Sequence, residues 1–319
     1  MPNTDELTGS TTDQHKVAIL LCTYNGQHYL AEQLDSIAAQ THTHVEIWAS
    51  DDGSQDDTPA ILEAYQHKWP KGHFTIHRGP ALGFAANFLS LTCKADLDAD
   101  YYAFSDQDDI WEPNKLSRAL AWLSTIPESI PALYCSRTRL VDEQNDEISV
   151  SPLFTSPPSF ANALMQNIGG GNTMVFNNAA RSILREAGEK LPVIAHDWWT
   201  YIVVTGCGGL VHYDPTPTLR YRQHDANLIG MNASWAARFA RINMLWQGQF
   251  KNWNDRHILA LGAISHRLTP FNKNMLVRFA KARQMSLIPR LINLKRCGIY
   301  RQTFLGNLGL ITAAIFGKL

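Results

Sequence analysis

Asp106, Asp108 and Asp109, with Gln107 among them, follow the apolar run 101–104 and precede Ile110 and Trp111. Carboxylates this close repel one another, and burying them at a strand end is unfavourable without a cation or strong donors beside them. Asp106 and Asp108 are two apart, so an extended strand end aims them to one side. Hard oxygen ligands presented this way suit Mg²⁺ or Mn²⁺, with substrate phosphates completing the shell. The expected business is a metal-bound, phosphorylated substrate. The plain alternative, a solvated turn that caps a helix, is hard to square with the apolar flanks.

Two further acidic groups stand where chemistry could use them. Asp51-Asp52-Gly53-Ser54 stops the run 45–49, and Asp197 follows His196 at the head of the apolar stretch 198–204. Each has a local explanation as well, since such residues favour turns and helix N-termini. The segment that begins at Asp51 is no calcium loop, because its carboxylate spacing fails the EF-hand pattern and no glutamate closes it.

These groups need a frame. Runs 17–21, 45–49, 74–76 and 101–105 read as strands, the first buried on both faces. Between them, 29–40, 58–65 and 85–93 have helical spacing, with Pro59 suited to a first turn. Alternation of this kind predicts an α/β fold, a mostly parallel sheet flanked by helices. Ligands bind such sheets outside the carboxyl ends of the strands. The loops 23–26, 51–54 and 106–109 fall there, so one crevice is expected to collect them. Downstream, the spacing predicts a helix from 113 to 125, a strand over 132–141, a loop over 152–159 covering the site, strands at 173–176 and 219–223, and helices beyond 233.

The chain has 319 residues and a formal net charge of −1, but the charge is divided. Residues 1–230 carry every acidic side chain except Asp255, whereas 231–319 carry half of the 28 basic ones. A basic C-terminal module implies an anionic partner. Its helical spacing, with Arg and Lys between Leu and Phe, suits an anionic membrane surface. The alternative is a cap drawn onto the acidic remainder of the chain. Nucleic acid is not expected, for want of any nucleic-acid motif. Five scattered cysteines without a Cys-x-x-Cys pair argue against disulfides or structural zinc. Residues 1–14 read as a disordered lead-in rather than a signal peptide, and no stretch reaches the ~20 apolar residues of a membrane span.

In their order along 15–230, the segments Thr23-Tyr24-Asn25, Asp51-Asp52-Gly53-Ser54, Ser105-Asp106-Gln107-Asp108-Asp109-Ile110-Trp111 and His196-Asp197-Trp198 resemble family 2 glycosyltransferases of the GT-A fold. Within that family the acidic segment, Gly171-Asn172-Thr173-Met174-Val175-Phe176 and Tyr221-Arg222-Gln223-His224 are similar to bacterial rhamnosyltransferase-like members. The resemblance implies a GT-A domain over 15–230 and leaves outside it the basic helical region over 231–319 that charge and spacing predict. It implies an inverting, metal-dependent transfer from dTDP-rhamnose or a UDP-hexose to a cell-surface glycan or lipid-linked acceptor. It places the chain in the cytoplasm, peripheral on the inner membrane face.

It also implies roles. Thr23, Tyr24 and Asn25 line the donor base, Asp52 accepts from its ring, Asp106 meets ribose or diphosphate and Asp108 holds the metal. Asp197 is the general base, although many relatives have an acid where His196 stands. His224 is either a metal or diphosphate ligand or a plain polar residue. Gly83 and Asn87 either admit the donor or build a turn and helix start. Trp198 and Trp199 are either a sugar platform or core. The glycines 169–171, with Asn172, form either an acceptor pocket or a bend. The rival enzyme class is a sugar-phosphate nucleotidyltransferase, whose basic glycine-rich first loop is missing here. The non-enzymatic rival is a glycan-binding scaffold.

Overall fold

A computed structural model describes residues 15–223 and 248–319. The expected lead-in 1–14 and the candidate ligand His224 lie outside the described residues.

The first half alternates as its apolar runs require: β1 Val17–Thr23, α1 Leu30–Ala38, β2 Val45–Asp51, α2 Thr58–Lys68, β3 Phe74–Arg78, α3 Phe84–Thr92 and β4 Tyr101–Ser105. Then come β5 Ile110–Trp111, α4 Lys115–Leu123, β6 Ala132–Ser136, β7 Arg139–Val141, β8 Glu147–Val150 and α5 Phe160–Ala163. A 3-10 turn, Gly171–Thr173, leads to β9 Val175–Asn177, α6 Asn178–Ala187, α7 His196–Gly206, β10 Leu210–Asp214 and β11 Leu219–Arg222. The C-terminal helices are α8 Gln249–Ala263, α9 Pro270–Arg283, α10 Leu287–Cys297 and α11 Phe304–Ile315.

Seven strands form the large sheet in the order β10-β6-β9-β4-β1-β2-β3. β1 pairs in parallel with both β2 and β4, and β9 alone runs against its neighbours. The chain moves outward from β1 through β2 to β3 and then returns to β1's other side as β4. Their connections therefore part above β1, which opens a crevice at the carboxyl ends. Register brings Thr23 beside Asp51 and Leu21 beside Ser105, so the first loop and the acidic tip share that edge. Because β9 is reversed, its entry at 169–174 opens onto the same edge.

Period-two alternation in β1 feeds two apolar layers. Val17, Ile19 and Leu21 face α1, α2 and α4, whose contributions include Leu30, Leu62 and Leu120. Ala18, Leu20 and Cys22 face the layer that holds Phe88, Phe176 and Trp199. That second layer continues without a break into Leu261, Phe279, Leu294 and Ala313 of the C-terminal helices. The Asn272 amide at the head of α9 donates to the carbonyls of Thr205 and Gly206, satisfying the end of α7. The region expected to be a separate basic module thus shares its core with the sheet.

The expected strand over 132–141 is two strands in two sheets. β6 belongs to the large sheet, while β7 joins a second sheet ordered β5-β11-β7-β8. The chain turns at Arg137, whose amide donates to the Asp214 carbonyl and whose guanidinium binds the Ser151 carbonyl. This small sheet backs the acidic tip, since β5 follows it directly.

A shared core makes unfolding one event. Phe279→Ala is expected to cost about 3–5 kcal/mol as a buried aromatic truncation. Denaturant unfolding should stay a single transition at a lower midpoint; a separate early transition for the C-terminal helices would show that the cores are independent.

Candidate active site

The first loop and the acidic tip are locked together by one side chain. Gln107 accepts from the Tyr24 amide at 2.8 Å and donates to the Tyr24 carbonyl at 3.0 Å. Gly26 makes room for this clasp, because a Cβ there would meet Gln107 Oε1 at 2.3 Å. The Tyr24 ring itself stands 57% exposed, open for a planar partner. Thr23 is buried and spends its hydroxyl on Asp51. Asp51 also accepts from the Gly53 and Ser54 amides, so it organises its own loop. Asn25, at φ 50°, accepts from the Gln55 amide and ties the first loop to the second.

Asp52 is buried, and its two carboxylate oxygens accept from Ala81 N at 2.7 Å and Gly83 N at 2.9 Å. It thereby folds the 79–83 loop over the end of β2. Gly83, at φ 89°, adopts backbone that favours glycine as it enters α3. Asn87 is 1% exposed, and its amide is shared between the Ser50 hydroxyl and carbonyl. Its place is beneath the loop, joining α3 to β2.

At the acidic tip the charges do crowd. Burial first, then the neighbouring Asp108 and Asp197 charges, push Asp106 up to about 7, against the pull of Lys115. Asp109 is raised well above the carboxylate range by burial and then by Asp108 and Asp106. Asn172 donates to one Asp109 oxygen at 2.6 Å, while the other is buried without a hydrogen-bond partner. Lys115 is fully buried; its ammonium donates to the Asn172 carbonyl at 2.6 Å and lies 3.1 Å from the Trp111 ring centre. Burial holds it well below the usual lysine range, opposed by Asp109 and Asp106. Arg222, 2% exposed, braces the tip from β11 by donating to the Asp108 carbonyl and to Glu32.

Asp197 opens α7 across the crevice. Its oxygens accept from Trp198 N at 2.6 Å and Gly171 N at 3.1 Å. Burial nevertheless pushes it up to about 6, the bonds to Trp198, Gly171 and Asn167 opposing. Its charge reaches Asp106 and also Tyr221, which faces Asp106, Asp108 and Asp109 as well. Cys22 in turn feels both Asp106 and Asp52. One edge therefore gathers Asp52, the acidic tip and Asp197.

His196 adds no charge there. It stacks on Phe88 at 3.7 Å, meets Phe104 edge-on, and is pushed by burial down to about 3. A neutral imidazole therefore stands beside Asp197, where the sequence resemblance would place an acid. Gly171 must lack a side chain, since its Cβ would lie 2.4 Å from His196 Nε2.

Three acceptor-side expectations need adjustment. Trp199 is 0% exposed, so core packing accounts for it and no sugar face can reach its ring. Trp198 is half-buried, donates to the Ala163 carbonyl, and packs edge-on to His257 and Trp253 of α8. Asn172 has its amide on Asp109, which makes it a brace of the acidic tip. The 152–159 loop is tied down, Ser156 to Gln302 and Ser159 to Tyr300, rather than poised over the site.

The donor set at the tip is carboxylate oxygen, and like charges crowd Asp106, so a divalent cation fits it chemically. Among the described residues, no three His, Cys, Asp or Glu side chains gather at metal-binding spacing. A cation held by Asp106 and Asp108 would therefore need further oxygens to complete its shell.

The profile of glycosyl transferase family 2 matches residues 18–191. The dTDP-rhamnosyl transferase RfbG of Shigella flexneri is 30% identical over 241 residues, which cover 70% of this chain and 78% of that protein. An uncharacterized glycosyltransferase of Rickettsia typhi is 24% identical over 79% of this chain and 76% of its own. The crystal structure of S. aureus TarS 1-349 in complex with UDP-GlcNAc superposes with a TM-score of 0.52 at 16% identity, covering 89% of this chain and 93% of that one. With a strand-end crevice, the acidic tip and these likenesses in hand, the chain belongs to glycosyl transferase family 2 and is a glycosyltransferase with the GT-A fold.

Proposed function

We propose that the chain moves a sugar, rhamnose first among candidates, from a nucleotide diphosphate to a cell-surface glycan or lipid-linked acceptor with inversion. The observation that carries this reading is the electrostatic convergence of Asp52, Asp106, Asp108 and Asp197 on one crevice. The 30% likeness to a dTDP-rhamnosyl transferase supports dTDP-rhamnose over a UDP-hexose. Residues 15–230 are taken as the transferase domain and 231–319 as its helical extension, in peripheral contact with anionic lipid at the inner face of the membrane.

In this reading the exposed Tyr24 ring stacks on the donor base, with Thr23 and Asn25 shaping its loop. Asp52 takes a ring N–H while holding the 79–83 loop, because each carboxylate oxygen can accept more than one bond. Asp108, with Asp106, holds Mg²⁺ or Mn²⁺; when bound, the cation neutralises the diphosphate and makes it a better leaving group. Asp197 removes the acceptor hydroxyl's proton as that oxygen attacks the anomeric carbon from the face opposite the diphosphate. A single displacement of this kind inverts the configuration. The raised basicity of Asp197 suits the task, since a stronger base takes the proton more readily. Neutral His196 behind it keeps the carboxylate from being paired off.

Asp197→Asn should bind dTDP-rhamnose with unchanged affinity by calorimetry yet transfer the sugar to acceptor, with release of nucleoside diphosphate, about 10²–10⁴-fold more slowly. Unaltered transfer would remove Asp197 from the base role. A base works deprotonated, and burial has raised Asp197 to about 6. Turnover should therefore hold above that value and fall about tenfold per pH unit below it. A rate–pH profile flat down to pH 4.5 would contradict the assignment.

A further inference from the structure

The C-terminal helices use their apolar residues in two ways. One set builds the shared core, and the other faces outward. Among the described residues, twelve of the eighteen large apolar side chains that stand exposed lie between Leu259 and Phe316. α11 concentrates them. Phe304, Leu308, Ile311 and Ile315 are 82%, 52%, 54% and 42% exposed, and their spacing puts them on one helix face. Ala313 and Ala314, on the opposite face, are buried. No charged residue occurs in 303–317. α10 packs alongside: Arg290 donates to the Ala314 carbonyl at 2.9 Å, and Ile288 and Ile292 are also exposed.

The setting of this face is cationic. Residues 248–319 carry twelve Lys and Arg against Asp255 alone. A second copy of the chain would bring the same positive charge to the contact, whereas an anionic bilayer supplies both an apolar interior and opposite charge. The twelve residues of α11 make a helix of about 18 Å, too short to span a hydrocarbon core of about 30 Å. It suits a helix lying in the interface plane.

The segment that enters α11 also holds the 156–166 segment, which packs against α7. The Gln302 side chain accepts from the Ser156 amide and donates to the Ser156 carbonyl, and the Gln302 main-chain amide donates to Gln166 Oε1. The Tyr300 hydroxyl meets Ser159, and the Tyr300 carbonyl accepts from Asn162. Asn162 and Ser159 are in turn held by Tyr201 of α7, the helix that begins with Asp197. A chain of direct hydrogen bonds thus joins α11 to the catalytic helix.

We infer that α11, with the outer edge of α10, seats the protein on an anionic bilayer, and that the 300–302 strap fixes the crevice relative to that surface, as a lipid-linked acceptor requires. The acceptor clause rests on the transferase reading, and the seating does not.

The test is sedimentation of the full chain with phosphatidylcholine vesicles with and without phosphatidylglycerol, alongside light-scattering mass measurement. The wild type should pellet with the anionic vesicles, less so in high salt. The Phe304→Ser, Leu308→Ser, Ile311→Ser variant should bind at least tenfold more weakly, and its hydrolysis of dTDP-rhamnose, in which water takes the sugar and nucleoside diphosphate is freed, should be unchanged. If that variant fails to fold, Lys295→Glu with Arg296→Glu, both exposed, gives the same reading through charge. Equal pelleting of wild type and variants would overturn the seating, as would a wild-type dimer that the substitutions dissolve. Loss of dTDP-rhamnose turnover in the wild type would instead strike the transferase reading and leave the vesicle result standing.

Discussion

Mutual repulsion among carboxylates in a poorly hydrated crevice is the constraint that the rest of the structure serves. Asp106, Asp108, Asp109 and Asp197 are kept close enough for burial and neighbouring charge to raise both Asp106 and Asp109. Left to itself such a tip would splay toward water. It is held by groups that spend their own hydrogen bonds on it: Gln107 on the first loop, Asn172 on Asp109, Arg222 on the Asp108 backbone. Lys115, buried against Trp111, adds a donor to the Asn172 carbonyl behind the tip. In the proposed reading, carboxylates crowded in this way favour a divalent ion and a diphosphate taken up together.

The division of labour around the crevice follows from exposure. Asp51, Asn87 and Thr23 have polar groups saturated by neighbours, so they build loops. Tyr24 is exposed, and Asp106, Asp108 and Asp197 are half-buried, which is compatible with the ligand roles proposed for them. Glycines occur where side chains would collide with this machinery, as at Gly26 against Gln107 and Gly171 against His196. The neutral His196 lets α7 begin in an aromatic pocket of Phe84, Phe88 and Phe104 without adding a second charge beside Asp197.

Much of this was legible in the sequence, for identifiable reasons. Strands buried on both faces leave continuous apolar runs, so β1, β2 and β4 were readable, and the polar loops after them marked the crevice. Of the second sheet only β11 was readable, because β5, β7 and β8 are two to four residues long and β7 and β8 are only partly apolar. The run 132–141 looked continuous because its break at Arg137 depends on partners 14 and 77 residues away in sequence. Asp106, Asp108 and Asp197 stood out as acids beside apolar stretches. Gln107, Lys115 and Arg222 did not, because their roles come from tertiary contacts between elements. Lys115 left one trace, its place on the inward face of α4 with Leu116, Ala119 and Leu123. The basic charge of the C-terminus was visible, but its core-forming half was not: Phe279 and Ile288 look alike in sequence and differ only in what they face.

The most direct test of the central claim is the linkage between cation and diphosphate. Titration calorimetry of dTDP into the protein, with and without Mn²⁺, measures it. The crowded carboxylates predict binding at least tenfold tighter with the cation, and loss of that gain in Asp108→Ala. Equal affinity with and without Mn²⁺ would mean that the acidic tip is not neutralised by a metal–diphosphate pair.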